Sequence, residues 1–187
     1  MIHQALHYLA DQLDGFLRAR FDSHEQHAVV WGLGGTDAGA QAHIDNRLVL
    51  SLVNLERETL AGRSGTVARG DGYAARSPAL HLNLYVLLSA SYPQDYPQAL
   101  RLLGMALAYF QARPLFDAHS GADFPRELER LQLELVNLSI QELNNLWAIM
   151  GAKYLPSAMY KLRLLTIQEN WIDEVVPAIQ GTAGRVG

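Results

Sequence analysis

Two histidine pairs are the first residues whose types and spacing could support chemistry. His3 and His7 lie four residues apart, the spacing at which two imidazoles on one helix face can share a metal ion. Neither an H-E-x-x-H pattern nor a third ligand accompanies them, and a metal centre needs a third ligand and an ordered second set of hydrogen bonds. His24 and His27 lie in a polar segment that offers no better context. We therefore predict no metal site and no cofactor.

A possible acid–base pair and a glycine-rich run are the next candidates. Asp117 and His119 stand close in sequence, but no nucleophile has a recognisable setting such as G-x-S-x-G, so a surface loop is favoured. The glycine-rich run at 32–35 follows an apparent strand, yet Asp37 occupies the third glycine position of a dinucleotide fingerprint and would repel a phosphate. A turn is the favoured interpretation. An enzyme that binds a small molecule or nucleotide through this loop and a loop histidine is the alternative from a different functional class.

The segment 60–78 carries charges that are hard to explain as an ordinary loop. It contains four glycines and little apolar content, and Arg63, Arg69 and Arg76 are opposed only by Asp71. A connection of this length is unusual in a compact domain and tends to be mobile or functional. The arginines either form a solvated tip or become ordered against an acidic partner surface through charge-assisted hydrogen bonds.

The composition indicates one soluble globular domain. The 187 residues are 49% hydrophobic and 18% charged, which suits a chain with its own buried core. The net charge of -4 disfavours non-specific binding to nucleic acid, which depends on neutralising phosphates. The absence of cysteine excludes disulfides and thiolate metal sites. The N-terminus lacks the features of a signal peptide, and no apolar run is long enough to span a bilayer, so we expect a cytosolic protein without membrane contact.

Hydrophobic periodicity places the candidate residues on one mixed sheet flanked by helices, an α/β (α+β) fold. Apolar residues on both faces of 47–57 indicate a central strand, and the clean alternation that begins at residue 80 predicts its hairpin partner, with the segment 60–78 as an extended tip. We predict a single domain at 1–170, a partly disordered tail at 171–187, and a parallel crossover between the last two strands. The predicted helices are 2–20, 97–113 and 140–150; the other predicted strands are 28–33, 131–138 and 157–168; and 34–42 and 117–125 are predicted as loops.

The helix at 140–150 has the strongest local determinants in the chain. Ser139 and Glu142 have the spacing of a capping box, and Gly151 follows the last apolar position, where a left-handed cap is expected. Pro156 prevents the helix from resuming. This agreement predicts a rigid structural unit without a catalytic group. The aromatic residues in and after the helix are predicted to be core: Trp147, Tyr154 and Tyr160.

The passage from Leu146 to Leu162 resembles a bacterial protein family. It follows the pattern L-W-x-x-(M/L)-G-x-x-Y-x-P-S-x-x-Y-x-L/V, and the strand at 80–90 and the helix L-L-G-M-A-L-A-Y-F-Q after it are also similar. The resemblance extends from the first helix to about Gln168. The family, long catalogued as a domain of unknown function, includes the cap or tail-terminator proteins of contractile injection systems of the antifeeding-prophage and virulence-cassette type.

The resemblance implies a structural role and not an enzyme. It implies a homo-hexameric ring on the distal end of a contractile tail, in contact with the inner tube protein and the sheath protein. There it would end the tube and anchor the last sheath layer. It also implies a fold like that of phage tail terminators, assembly in the cytoplasm, and a place in an extracellular or intracellular phage tail-like particle. The alternative within the same particle is another tail-end or baseplate adaptor.

Mobile arms that become ordered on docking give specificity without premature assembly. We therefore assign contact with the tube or a neighbouring subunit to Arg63, Arg69, Tyr73 and Arg76.

Overall fold

The described part of the chain contains both helices and strands in this computed structural model. The helices are α1 (Ile2–Phe21), α2 (Ala38–Ile44), α3 (Tyr96–Ala112) and α4 (Ile140–Met150). The strands are β1 (Ala28–Val30), β2 (Arg47–Arg57), β3 (Val67–Arg69), β4 (Gly72–Arg76), β5 (Leu80–Ser91), β6 (Leu115–Asp117), β7 (Arg130–Val136), β8 (Ser157–Ile167) and β9 (Ile172–Pro177). The structure describes residues 1–34, 38–58, 67–69, 72–76, 80–167 and 172–177, with the backbone alone at 38–40, 67–69, 72–76, 164–167 and 172–177.

Six strands form one mixed sheet in the order β1-β2-β5-β8-β7-β6. β1 runs parallel to β2, and the other neighbours in this sheet are antiparallel. The long antiparallel pairing of β2 with β5 confirms the predicted hairpin. The predicted parallel crossover is wrong, because β7 and β8 are antiparallel and Val136 pairs with Met159. After α4 the chain passes through Gly151 at φ 62° and returns to the end of the sheet at which β7 finished.

The larger core lies between the sheet and the two long helices α1 and α3. Leu13 and Leu17 of α1 are fully buried, as the helical spacing of its apolar residues predicts. The inward face of α3 includes Ala99 and Ala106, which are buried, whereas Leu100 is exposed. The two alanines leave room for the helix to lie close to the sheet. None of the described helices is long and apolar enough to cross a membrane.

A smaller core lies on the opposite face of the sheet, beneath α2 and α4. Alternate residues of β2 enter the two cores, Leu48 on the α1 side and Val49 on the α4 side, which confirms that this strand is covered on both faces. The predicted loop at 34–42 is wrong from Ala38 onward, where α2 begins. Burial of Ile44 at the end of α2 gives this short helix an anchor. The smaller core comprises Leu33, Ile44, Val49, Leu87, Leu146, Trp147 and Met159.

Candidate interaction surface

The arm, which we define as β3, β4 and β9, contains most of the predicted contact residues. β3 pairs antiparallel with β4, and β4 pairs antiparallel with β9, so the tip of the β2–β5 hairpin is itself a sheet. Arg63 lies outside the described residues. The register of the arm places Arg69 opposite Gly72, Tyr73 opposite Val176, and Arg76 opposite Ile172.

β9 is an element that the sequence analysis missed. It occupies residues Ile172–Pro177, inside the range predicted as a partly disordered tail, and 178–187 lie outside the described residues. The strand brings Asp173 and Glu174 beside the arginine-bearing strand, with Glu174 opposite Ala75. Two acidic residues therefore lie on the strand that pairs with the strand of Arg76. The adjacent β-branched residues Val175 and Val176 were the available sequence signal for this strand.

The arm continues the strand order of the main sheet. The β5–β8 ladder ends at Leu80 opposite Ile167, and the β4–β9 ladder starts at Arg76 opposite Ile172. The β2–β5 ladder likewise resumes as the β3–β4 ladder. β3, β4 and β9 thus succeed β2, β5 and β8 in the same order. The β2–β5 ladder ends at the pair Arg57 with Leu82, and the β3–β4 ladder begins at the pair Val67 with Ala74.

The capping box of α4 is present as predicted. The Ser139 Oγ accepts from the Glu142 N–H at 3.2 Å, and the Glu142 Oε2 accepts from the Ser139 N–H at 2.8 Å. These bonds hold the pKa of the Glu142 carboxyl below its ordinary value, and the bond from the Ser139 backbone N–H has the largest effect. Gly151 adopts the left-handed conformation that ends the helix. Local sequence therefore fixes both ends of α4.

The aromatic residues around α4 divide between core and surface. Trp147 and Tyr160 are 6% exposed, which confirms their assignment to the core, but Tyr154 is 59% exposed and that assignment is wrong. Tyr154 instead packs edge-on against Trp147, with ring centroids 5.6 Å apart. The helix also presents two isoleucines to solvent, Ile140 at 88% and Ile149 at 84% exposure, which periodicity did not reveal. Exposed apolar side chains with few nearby charges are typical of protein-contact surfaces.

Charged pairs cross the sheet beyond the smaller core. The Glu56 Oε2 accepts from the Tyr85 hydroxyl at 2.8 Å and from the Lys161 Nζ at 3.1 Å. These bonds hold the pKa of the Glu56 carboxyl below its ordinary value, and the bond from Tyr85 has the largest effect. The Arg163 Nε lies 2.7 Å from the Glu134 Oε2. Opposite charges on adjacent strands pair with one another here, an arrangement that stabilises the sheet.

The remaining sequence candidates for chemistry have structural explanations. No group of three or more histidine, cysteine, aspartate or glutamate residues could hold a metal in the part of the chain that the structure describes. The Asp117 Oδ1 accepts from the His119 backbone N–H at 2.9 Å, so the acid closes a turn. Gly34 lies against the end of α4, where a Cβ would stand 3.2 Å from the Met150 carbonyl oxygen. The glycine-rich run thus packs the chain against the helix.

Two solved structures share this fold across almost the whole chain. One is the cryo-EM structure of the sheath/tube terminator of PVC, an extracellular contractile injection system, in the extended state. It has 14% identity and a TM-score of 0.59, over 100% of this chain and 63% of that one. The other is the tube-terminating cap of the anti-feeding prophage, with 14% identity and a TM-score of 0.57, over 95% of this chain and 59% of that one. The chain therefore spans about three fifths of the length of each.

These similarities confirm the predicted tail-terminator-like fold. No curated protein sequence matches the chain. The family model described as the Pvc16 N-terminal domain matches residues 6–181, a range that includes the six-stranded sheet and the arm. The match confirms the resemblance first indicated by the residues from Leu146 to Leu162. The chain belongs to the Pvc16 N-terminal domain family.

Proposed function

We propose that this chain is the structural cap, or tube terminator, of a contractile injection system. The match of residues 6–181 to the Pvc16 N-terminal domain family carries the proposal. The same fold occurs in a PVC sheath/tube terminator and in the tube-terminating cap of the anti-feeding prophage. The role is non-enzymatic and needs no cofactor. The protein assembles in the cytoplasm and becomes part of a phage tail-like particle.

The proposed cap is a homo-hexameric ring that contacts the inner tube protein and the sheath protein. A terminator must match the tube on one side and must offer no surface on which the tube can grow further. A closed ring with head-to-tail contacts between copies meets both requirements, because every contact surface within the ring is already occupied. The ring ends the tube and anchors the last sheath layer.

The arm is the proposed contact with the tube or a neighbouring subunit. Three features support this assignment: its own three-stranded sheet, its position at the end of the β2–β5 hairpin, and its arginines. Guanidinium groups make strong, directional bonds with carboxylates of a partner. The residues assigned to this contact are Arg63, Arg69, Tyr73 and Arg76.

Electron microscopy of particles from a strain that lacks this protein tests the proposal. We expect tubes of uncontrolled length or unstable sheaths, because nothing would stop polymerisation or hold the last sheath layer. Re-expression of the protein should restore uniform particles and serves as the control. Particles of normal length and stability in the deletion strain would rule out a cap. Loss of tube initiation, in place of loss of length control, would identify a baseplate adaptor.

The mass of the purified protein separates the cap from the enzyme alternative. A stable hexamer supports the cap. A monomer whose thermal stability rises with added nucleotide would instead support a nucleotide-binding enzyme, because a ligand that binds the folded state raises its stability.

A further inference from the structure

Among the described residues, no strand pairs with the outer edge of β1, which is most accessible at Val30 because Ala28 is 1% exposed. The Leu48 N–H donates to the His27 carbonyl and the Trp31 N–H donates to the Leu50 carbonyl, so the odd-numbered residues bond to β2. The Ala28 and Val30 backbone groups therefore point away from the sheet. Asp14 satisfies the Ala28 N–H at 3.1 Å. The Ala28 carbonyl and both backbone groups of Val30 remain directed at the open edge.

The edge at the other end of the sheet, β6, is closed at Asp117 by its own turn. The Asp117 N–H donates to the Ser120 Oγ at 2.9 Å, and the Asp117 carbonyl accepts from the Ser120 N–H at 2.9 Å. A strand approaching β6 would meet bonded groups at Asp117, although the Leu115 backbone groups also face outward. β6 therefore offers a strand only Leu115, whereas β1 offers Val30 and the Ala28 carbonyl.

A groove lies beside β1, and its side chains could contact a strand that pairs with this edge. It has a volume of about 200 Å³ and is lined by α1 on one side and by the end of α2 on the other. Trp31 stacks on His43 at the mouth of the groove, with ring centroids 4.6 Å apart. Exposed tryptophan is a common anchor in protein contacts. The lining carries one charged group of each sign, Arg47 and Asp11, together with the imidazoles of His7 and His43.

The described residues contain a second unpaired strand edge, at the end of β8 and along β9. β8 pairs with β7 only from Met159 to Arg163, although β8 itself continues to Ile167. β9 then pairs with β4 on one side and lies at the end of the order β3-β4-β9. We call the free side of 164–167 and 172–177 the distal edge. Within the described residues no strand covers it, and β9 contains Asp173 and Glu174 without a basic residue.

We propose that the distal edge of one copy adds as a strand to the β1 edge of the next copy. This inference rests on the proposed function, because it specifies how the ring closes. Long open edges promote uncontrolled association unless they are covered. A head-to-tail contact covers both edges, and repetition around a closed ring leaves neither exposed. Backbone hydrogen bonds supply the attraction, and the acidic β9 strand meets Arg47 at the β1 edge, which favours this direction of the contact.

Disulfide cross-linking tests the contact directly, because the native chain has no cysteine. A variant that combines Val30→Cys with Val175→Cys should give, under mild oxidation, a covalent ladder of oligomers in purified rings and in isolated particles. The matched control combines Val175→Cys with Ile149→Cys, whose position is 84% exposed on α4. A ladder from the first pair alone supports the contact. A monomeric product from the first pair, or equal ladders from both pairs, overturns it.

A backbone substitution tests the same edge independently. Val30→Pro removes an N–H that points away from β2, so the β1–β2 ladder should survive while the ring is lost. Val30→Ala keeps the N–H and should keep the ring. Native mass measures assembly, and circular dichroism verifies folding. An intact ring in a folded Val30→Pro protein contradicts the inference; if this variant does not fold, the cysteine pairs decide.

The failure of this inference can be distinguished from the failure of the cap. A wild-type hexamer without the Val30–Val175 cross-link leaves the cap in place and removes only the β1 contact. Particles of normal length from the deletion strain remove the cap itself.

Discussion

At the scale of single residues, Asp14 connects the first helix to the sheet through hydrogen bonds. Its carboxylate is nearly buried, and its Oδ1 accepts from the backbone N–H groups of His27 at 2.6 Å and Ala28 at 3.1 Å. The other oxygen, Oδ2, lies 2.8 Å from the Arg18 Nε. One side chain on α1 therefore positions the start of β1, the strand whose open edge we assign to ring closure.

Asp14→Ala should lower the free energy of unfolding by about 2–3 kcal/mol, because it leaves buried donors without an acceptor. Asp14→Asn keeps an acceptor oxygen and should cost less. Asp11→Ala, at an exposed position of the same helix, is the control and should change stability by less than about 0.5 kcal/mol. Urea denaturation measures all three. Equal stability of Asp14→Ala and Asp11→Ala would contradict the role of Asp14 in connecting α1 to β1.

At the scale of elements, α4 combines a locally determined helix with an unusual surface. Both ends are fixed by sequence, and Leu146 and Trp147 bury its inner side in the smaller core. The outer side exposes Ile140 and Ile149. The passage that carries the family resemblance is therefore a rigid scaffold.

Ser139→Ala should lower the free energy of unfolding by about 1 kcal/mol, because the first turn of α4 loses its side-chain acceptor. Ser139→Asp keeps an acceptor and is the matched control. The bonds that lower the pKa of Glu142 favour its charged form in the folded state. The stability that these bonds contribute is therefore present above the ordinary pKa of the carboxyl. It is lost as the pH falls through the lowered pKa of the folded state. In denaturant titrations, the difference in free energy of unfolding between the wild type and Ser139→Ala should be smaller at acidic pH than at neutral pH. A difference that does not change with pH would contradict this explanation.

At the scale of the whole molecule, the chain comprises a two-sided sheet and an arm that extends three of its strands. The body has a core on each face, and the arm brings basic and acidic residues together by strand pairing. We propose that recognition belongs to the arm and the sheet edges, while the two cores hold these parts in place.

Replacement of Arg63, Arg69 and Arg76 by glutamate should leave the fold intact and abolish capping, because the proposed acidic partner would then be repelled. Arg20→Glu, at an exposed position of α1, is the control for a change of surface charge. Electron microscopy of complemented deletion strains measures tube length, and circular dichroism checks the fold. Uniform tubes from the triple variant would exclude the arginines from the contact.

The sequence by itself determined the elements whose causes are local. Ser139, Glu142 and Gly151 define the ends of α4 because capping groups act within one helical turn. Alternating apolar residues defined β2 and β5 because side chains of a strand point to opposite faces. The residue pattern from Leu146 to Leu162 was enough to indicate the family, because residue types and their spacing carry that resemblance.

Tertiary structure alone decided the features that depend on distant parts of the chain. The antiparallel pairing of β7 with β8 depends on which end of the sheet the chain returns to after α4, and helix length does not specify this. The exposure of Tyr154 depends on how far α4 covers the smaller core. β9 became apparent through its pairing with β4, about 100 residues earlier in the chain, because a short strand is stabilised mainly by its neighbours. Pairing between distant segments thus determined both sheet edges, and with them the contact that we propose closes the ring.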